Sequence, residues 1–379
     1  MKTIVPSSTY RDVPCFHGGA FFSAIGDRFD ALERSEQVIN ADVLDAWFAP
    51  SPKVTKALQD YLPWILRTSP PIDAAGFIET VSEVRGVPAH CLLPGAGSSD
   101  LIFRAFNHWL DSSSRVLILD PIYSEYPHVL SNVVGCCVER FVLSREDNYI
   151  VDLQELQRRV AVGNYDLVVL VNPNSPTGQF IPREMLIPFL KAVPPNTRVW
   201  IDEAYLDYLG ADQSIEDFAS RSRNVIVCKS MSKVYALSGT RIAYLCATPE
   251  TIRELRVLTP PWIVSLPAQI AGVQALADPE YYRERYRDTH KLRADLALTL
   301  ISFGWTIVPG CANFLLCHLP EAGPAAEAII AGCRERDLFL RNPGNMGSSF
   351  GTHTLRVAVK DHATNQRMSE ILKHVLTIS

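Results

Sequence analysis

The stretch Val225-Ile226-Val227-Cys228-Lys229-Ser230-Met231-Ser232-Lys233 joins a run of four apolar residues to a polar cluster that ends in a lysine. The apolar residues follow one another without alternation, which predicts a strand buried on both faces, as in a mostly parallel sheet. The polar cluster would then lie beyond the carboxyl end of that strand, where open α/β sheets bind their ligands. This one stretch therefore predicts both the type of fold and the position of a site.

Similar apolar runs occur on both sides of it along the chain, at 116–119, 167–171, 199–201 and 242–245. Segments with helical spacing of apolar residues separate them, at 100–110, 153–160 and 183–192. This alternation predicts an α/β domain. Three of the other runs also end in polar residues, at 120–123, 172–175 and 202–205, which predicts a single site at one edge of the sheet.

The two ends of the chain have a different pattern. Residues 1–50 are irregular and rich in aromatics, whereas the C-terminal part combines a long helix at 281–301, short strands and a final helix at 362–376. We therefore expect a large domain at 51–272 and a smaller α+β domain built from 1–50 and 273–379.

Composition narrows the class of protein. The 379 residues are 47% hydrophobic and carry a net charge of −5, which excludes a disordered chain and the basic footprint of nucleic-acid binding. No apolar run approaches the roughly 20 residues of a membrane span, and the N-terminus lacks a signal peptide. The nine cysteines include no C-x-x-C pair, so we expect no metal site and a reducing compartment. These features predict a cytoplasmic enzyme that acts on a small molecule.

Lys233 is the first candidate for chemistry. A desolvated lysine after a buried strand suits a Schiff base, and the hydroxyls of Ser230 and Ser232 with the guanidinium of Arg241 suit a phosphate. The alternative is a helix cap with solvated basic neighbours. Asp202 ends another buried strand, and a buried carboxylate needs a partner. One candidate partner is a pyridinium nitrogen. The alternative is a structural role, in which Asp202 caps a helix or forms an ion pair within the protein.

Small residues at Ala96, Gly97 and Ser98 precede a predicted helix, an arrangement that lets backbone N–H groups approach an anion. Tyr205 is placed to donate to a phenolate oxygen or to pack in the core. Tyr123 is a candidate to stack on a flat ring.

Together and in this order, these motifs resemble the pyridoxal-phosphate enzymes of fold type I, class I/II aminotransferases, in the branch similar to histidinol-phosphate aminotransferase. The resemblance covers residues 40–379 and implies a homodimer with shared active sites. It implies that Lys233 carries the cofactor, that Asp202 pairs with the ring nitrogen, and that Arg356 takes the substrate carboxylate. The resemblance also implies that Tyr205 binds the 3′-oxygen of the cofactor, that Tyr123 stacks on its ring and that Arg341 binds a substrate phosphate. The cofactor phosphate would be bound by Ala96, Gly97, Ser98, Ser230, Ser232 and Arg241.

The chain departs from this family at several positions. Ser175 stands where the family has an asparagine that binds the cofactor 3′-oxygen, so Asn174 is an alternative donor. Phe48 replaces a tyrosine that contacts substrate phosphate. Thr68 or Ser69 replaces a tyrosine that reaches the partner subunit's cofactor.

Near Phe48, the carboxylates of Asp42 and Asp45 and the ring of Trp47 suit a guanidinium better than a phosphate, although capping and core packing compete as explanations. This stretch resembles capreomycidine synthase and the enduracididine-forming cyclases. We therefore expect dehydration and cyclisation of a hydroxylated arginine, with His17 assisting proton transfer. The alternatives are an aminotransferase and, more remotely, a non-catalytic regulator that binds the cofactor.

Overall fold

The computed structural model describes residues 19–26 and 28–378 and has two main sheets. The strands are β1 Ile39–Asn40, β2 Leu92–Gly95, β3 Arg115–Asp120, β4 Cys137–Val142, β5 Leu167–Val171, β6 Arg198–Asp202, β7 Val225–Ser230, β8 Ala243–Cys246, β9 Thr306–Ile307, β10 Phe314–His318, β11 Leu338–Phe339 and β12 Thr354–Ala358.

The larger sheet has the strand order β2-β8-β7-β6-β5-β3-β4. Strands β3 to β7 pair in parallel, whereas β8 is antiparallel to both of its neighbours. The predicted α/β fold with a mostly parallel sheet is confirmed. Strand β5 has the bounds expected from its apolar run. Strand β4 escaped prediction because it lies at the sheet edge, where only part of each face is covered.

Helices surround this sheet and the smaller one. Their bounds are α1 Phe22–Ile25, α2 Pro52–Arg67, α3 Ala75–Arg85, α4 Ser98–Trp109, α5 Glu125–Pro127, α6 Leu153–Gly163, α7 Arg183–Ala192, α8 Glu216–Ala219, α9 Pro249–Arg256, α10 Leu266–Leu276, α11 Pro279–Ser302, α12 Ala326–Arg334 and α13 His362–Ile378. The predicted helices correspond to α4, α6, α7, α11 and α13. Among the described residues, no helix combines the length and the apolar composition that crossing a membrane requires.

The smaller sheet is antiparallel, with the order β12-β10-β9, and the short strand β1 pairs in parallel with β11. Further contacts attach the segment after β1 to this part of the chain. The Ala358 N–H donates to the Ala41 carbonyl at 3.1 Å, and the Asn313 side-chain amide donates to the Leu44 carbonyl at 2.9 Å. Residues 41–44 are thereby held beside β10 and β12, which directs them toward the edge of the larger sheet.

Candidate active site

A cavity lies beyond the carboxyl ends of β5, β6 and β7, where the polar clusters were expected to meet. It is lined by Val43, Leu44, Ser98, Ser99, Tyr123, Val171, Ser175, Asp202, Ala204, Tyr205, Ser230, Ser232, Lys233, Arg241 and Arg356. We call the large-sheet residues Asp202, Tyr205, Ser230, Ser232, Lys233 and Arg241 the floor. We call residues 42–48 with Arg341, Arg356 and Lys360 the cover.

Lys233 follows β7 in a turn and points its amine toward the cover. Its Nζ donates to Asp45 Oδ1 at 2.8 Å and lies 3.4 Å from Ser238 Oγ, while the side chain is 20% exposed. Burial alone would raise the pKa of Asp45, but the adjacent Lys233 ammonium outweighs burial and lowers that pKa below its usual value. Asp45 is therefore an ionised carboxylate in contact with the candidate Schiff-base nitrogen.

Asp202 ends β6 in a buried position at the bottom of the cavity. The Tyr126 hydroxyl donates to its Oδ2 at 2.6 Å, and the Ala204 N–H donates to its Oδ1 at 3.0 Å. Trp200 Nε1 donates in turn to the Tyr126 hydroxyl at 2.9 Å. Burial raises the pKa of Asp202 to about 6, so a cation beside it would stabilise its charged form.

A cradle for an anion lies beside Lys233, at the N-terminus of α4. Arg241 Nη1 lies 3.4 Å from Ser232 Oγ, to which it donates, and it also donates to the Ser238 carbonyl at 3.0 Å. Gly97 has a φ of +91°, and a Cβ added there would lie 2.2 Å from Arg241 Nη2. Glycine is needed here because it alone leaves room for the guanidinium, and this fits a cradle for a phosphate.

Ala96 has a different role from its neighbours in this structure. Its N–H donates to Asp100 Oδ2 at 3.0 Å and is thus already engaged within the start of α4. Ser98 lines the cavity, as does Ser99, which the sequence analysis did not single out and whose hydroxyl donates to Glu125 at 2.9 Å.

The two candidate donors for the 3′-oxygen lie in different places. Ser175 lines the cavity. The Asn174 side-chain amide donates to the Pro121 carbonyl and to Thr177 Oγ1, both at 3.1 Å, so it stabilises its own turn. Tyr205 is buried at the cavity wall, and burial raises its pKa to about 12. Tyr123 also lines the cavity, and its hydroxyl donates to Glu125 at 3.1 Å.

Arg356 enters the cavity from β12. It donates to Ser175 Oγ at 3.3 Å and to the Asp42 carbonyl at 2.9 Å, while its buried Nε has no hydrogen-bond partner among the described residues. Burial lowers the pKa of Arg356 to about 10. A buried guanidinium that contacts neutral oxygens is well suited to bind a carboxylate.

Arg341 lies opposite Arg356 across an antiparallel bridge but lines a second cavity, together with Asp42, Glu327 and Arg334. Its Nη1 is 3.8 Å from Asp42 Oδ1, and both side chains are 4% exposed. Asp42 Oδ2 also accepts a hydrogen bond from the Gly19 N–H at 3.2 Å. The carboxylate of Asp42 thus faces Arg341 and lies away from the cavity that contains Lys233.

The structure does not bring Trp47 and Phe48 into the cavity. Trp47 Nε1 donates to Thr289 Oγ1 at 2.8 Å, and Phe48 is buried with its ring centroid 6.3 Å from that of Tyr282. Of the residues expected to bind a guanidinium, only Asp45 reaches the reacting region. His17 lies outside the described residues.

Thr68 and Ser69 follow α2, away from the cavity of the same chain. The Thr68 hydroxyl donates to the Trp64 carbonyl at 2.7 Å, and Ser69 is exposed.

Besides Ser99, sequence reasoning missed three residues of this region. Tyr126 contacts Asp202, Ser238 contacts Lys233, and the Lys360 ammonium lies 3.5 Å from the Asp45 carbonyl oxygen. Lys360 directly follows the predicted strand that contains Arg356, and a charged residue at a strand end near a candidate ligand was an available signal. Nothing in the local sequence marks Tyr126.

Comparisons with known proteins agree with this geometry. The family model of class I and II aminotransferases matches residues 40–375. Histidinol-phosphate aminotransferase 2 of Gluconobacter oxydans is 30% identical over 331 residues, covering 86% of this chain and 89% of that protein. Histidinol-phosphate aminotransferase of Anaeromyxobacter sp. is 32% identical over 293 residues, covering 77% of this chain and 78% of that protein.

Among solved structures, the histidinol-phosphate aminotransferase of Sinorhizobium meliloti in complex with pyridoxal-5′-phosphate has a TM-score of 0.84 at 20% identity, covering 100% of this chain and 98% of that one. The L-threonine-O-3-phosphate decarboxylase of Porphyromonas gingivalis has a TM-score of 0.77 at 21% identity, covering 90% of this chain and 100% of that one. These two likenesses concern the fold.

The fold and the site define an enzyme of the pyridoxal-phosphate-dependent type. The chain belongs to the class I and II aminotransferase family. The family and the cofactor predicted from the sequence are thereby confirmed.

Proposed function

We propose that this protein is an aminotransferase that removes the amino group of an α-amino acid, using pyridoxal 5′-phosphate bound in the cavity of the floor. The observation that carries the proposal is the convergence of Lys233, Asp202 and Arg356 on that single cavity. When bound, the cofactor supplies an electron sink for the α-carbon of the substrate.

Different floor residues bind different parts of the cofactor. Lys233 attaches it and then moves a proton at its own Nζ. Asp202 holds the ring nitrogen in its charged form, which matches a buried carboxylate that gains from a cationic partner. Tyr123 stacks on the cofactor ring, and Tyr205 and Ser175 bind its 3′-oxygen. The phosphate is bound by the Gly97 backbone together with Ser98, Ser230, Ser232 and Arg241.

Arg356 binds the α-carboxylate of the substrate. Its side chain is buried, and its hydrogen-bond acceptors among the described residues are two neutral oxygens, Ser175 Oγ and the Asp42 carbonyl. A bidentate carboxylate would supply the missing negative charge and would orient the amine toward Lys233.

The relatives favour transamination over the arginine cyclisation that the sequence analysis placed first. The two relatives described above are named as histidinol-phosphate aminotransferases, and this reaction type was the stated alternative. The closeness to capreomycidine synthase stays a prediction. Incubation of the purified enzyme with 2-oxoglutarate and individual amino acids tests transamination, since glutamate and a new keto acid must form in equal amounts.

The substrate side chain is the part in which we expect this chain to differ from those relatives. Arg341, the residue that the resemblance assigned to substrate phosphate, faces the carboxylate of Asp42, and Phe48 has no hydroxyl. We therefore propose an unphosphorylated amino acid as the substrate rather than histidinol phosphate. Replacing Asp42 by Asn removes the negative charge that faces Arg341 and is expected to raise kcat/KM for histidinol phosphate by about tenfold. A wild-type enzyme that uses histidinol phosphate better than every unphosphorylated amino acid tested would contradict this proposal.

Arginine cyclisation remains the second candidate because two observations favour it. Ser175, rather than an asparagine, lines the cavity, and the Asp45 carboxylate lies where a cationic side chain could approach. Mass spectrometry after incubation with β- and γ-hydroxyarginine decides between the reactions, since cyclisation removes one water and retains the α-amino group.

We also propose a homodimer in which Thr68 or Ser69 reaches the partner subunit's cofactor. Support comes from α2, which ends at these residues and exposes Tyr61 by 62%, Trp64 by 47% and Leu66 by 72%. Apolar residues so exposed on one helix are typical of an interface. Sedimentation analysis tests the assembly.

A further inference from the structure

Three charged side chains from distant parts of the chain meet at the opening of the cavity. Lys233 comes from the floor, whereas Asp45 and Lys360 belong to the cover. Lys233 Nζ lies 2.8 Å from Asp45 Oδ1, and Lys360 Nζ lies 3.5 Å from the Asp45 carbonyl oxygen. The candidate Schiff-base nitrogen therefore contacts the Asp45 carboxylate, whereas Lys360 contacts the backbone carbonyl of the same residue.

The surroundings keep this carboxylate charged. Besides the two lysines, the hydroxyl of Ser238 and the buried hydroxyl of Tyr205 act on Asp45, and the Ser238 hydroxyl itself donates to the Ser232 carbonyl at 3.1 Å. Asp361 acts in turn on Lys360, whose pKa burial lowers to about 8. Because the pKa of Asp45 is lowered, it carries its negative charge throughout the neutral range.

The contact between Asp45 and Lys233 has a consequence for catalysis. With the cofactor bound, Lys233 would have to lie near the α-carbon of the substrate in order to accept a proton at its Nζ. A flexible four-carbon side chain without a partner would leave this position most of the time. The Asp45 carboxylate provides that partner from within the cover.

We propose that Asp45 is a positioning residue for Lys233, holding the lysine nitrogen at the reacting face of the cavity, and that Lys360 holds Asp45 in place. In this step the proton moves from the α-carbon of the substrate to Lys233 Nζ, and Asp45 stays ionised. The inference rests on the role of Lys233 in the proposed function, and it assigns Asp45 to the lysine rather than to a substrate guanidinium.

The decisive measurement is a pH titration of the visible absorbance of the resting holoenzyme, without substrate. Asp45→Asn removes an anion beside the lysine-linked nitrogen, so the midpoint of the titration should fall by about one pH unit or more. Lys360→Met removes a cation near that nitrogen and should therefore raise the midpoint. This applies where the wild-type midpoint lies below the pH at which Lys360 loses its proton. General loosening of the structure would move both variants in the same direction.

Kinetics supply a second readout. Asp45→Asn should lower kcat by about 10- to 100-fold with little change in KM for the amino donor, since the carboxylate acts on the lysine and not on the substrate. The matched control is Asp217→Asn, whose carboxylate pairs with Arg183 outside this cluster and which should leave the midpoint unchanged.

Two results would overturn the inference while leaving the proposed function intact. One is a titration midpoint that does not change in Asp45→Asn. The other is a rise in KM for cationic donors with an unchanged kcat, which would make Asp45 a substrate-binding residue. A wild-type protein without visible absorbance, or a band that persists in Lys233→Ala, would instead contradict the role of Lys233 itself.

Discussion

The floor and the cover of the cavity are built in different ways. Most floor residues end the buried strands β6 and β7 or follow them within a few residues, so these strands position them. Cover residues come from segments that precede and follow the large sheet, and long-range contacts such as that of Asp42 with Arg356 position them. The position of the floor therefore follows from the local order of residues, whereas the position of the cover depends on which distant segments pack together.

The largest effect is expected in the floor, from replacement of the lysine. On the proposed function, Lys233→Ala removes both the cofactor attachment and the group that moves the proton, so kcat should fall by roughly 10⁴-fold or more. The visible absorbance of the lysine-linked cofactor should disappear at the same time. Retention of more than a few per cent of activity would place the reacting amine elsewhere.

In the cover, Arg356→Met should act on substrate binding. Loss of the guanidinium that pairs with the α-carboxylate should lower kcat/KM by about 100-fold, mostly through KM. A matched comparison uses the corresponding amine without a carboxylate, which the wild type and the variant should use equally poorly. An equal loss with both compounds would mean that Arg356 serves the structure rather than the substrate.

The buried carboxylate of Asp202 in the floor should make the folding stability of the protein depend on pH. In the cofactor-free protein the folded-state pKa of Asp202 is raised to about 6, above that of the unfolded chain, so the folded state binds the extra proton between about pH 4 and 6. Stability from this group is present below pH 4 and is lost as pH rises through 6, by at most about 3 kcal/mol.

Denaturant unfolding of the cofactor-free wild type and of Asp202→Asn at pH 4.5 and 7 measures this loss. The Asp202→Asn variant should not show this loss of stability at pH 7. Bound cofactor should make the loss smaller in the wild type, because a cation then faces the Asp202 carboxylate. A variant with the same pH dependence as the wild type would show that other groups cause it.

The smallest effect is expected from Trp47, a cover residue directed away from the cavity. Trp47→Phe removes the hydrogen bond to Thr289 and should lower the free energy of unfolding by about 1 kcal/mol. Kinetic constants should stay within a factor of two. A tenfold higher KM of the variant for a cationic amino acid would show that Trp47 contacts the substrate, as its neighbours in the sequence had predicted.

Much of the floor was predictable because strand ends are local features. The position of Lys233 and Asp202 beyond continuous apolar runs was enough to bring them to one sheet edge. The side-chain direction of Asn174 was not predictable, since it depends on the Pro121 carbonyl of a neighbouring strand end. Tyr126 was missed for the same reason, because its contact with Asp202 spans 76 residues.

The sequence by itself determined the α/β fold, the family and the candidate for the cofactor lysine, because apolar runs and polar strand ends follow from the local order of residues. Only the tertiary structure decided the partners of the acidic residues in the cover. Asp45 is 188 residues from Lys233 along the chain, and Asp42 meets Arg341 rather than a substrate. The physical reason is that a buried charge takes whichever opposite charge packing brings within reach, and the pairing of β1 with β11 fixes which ones those are.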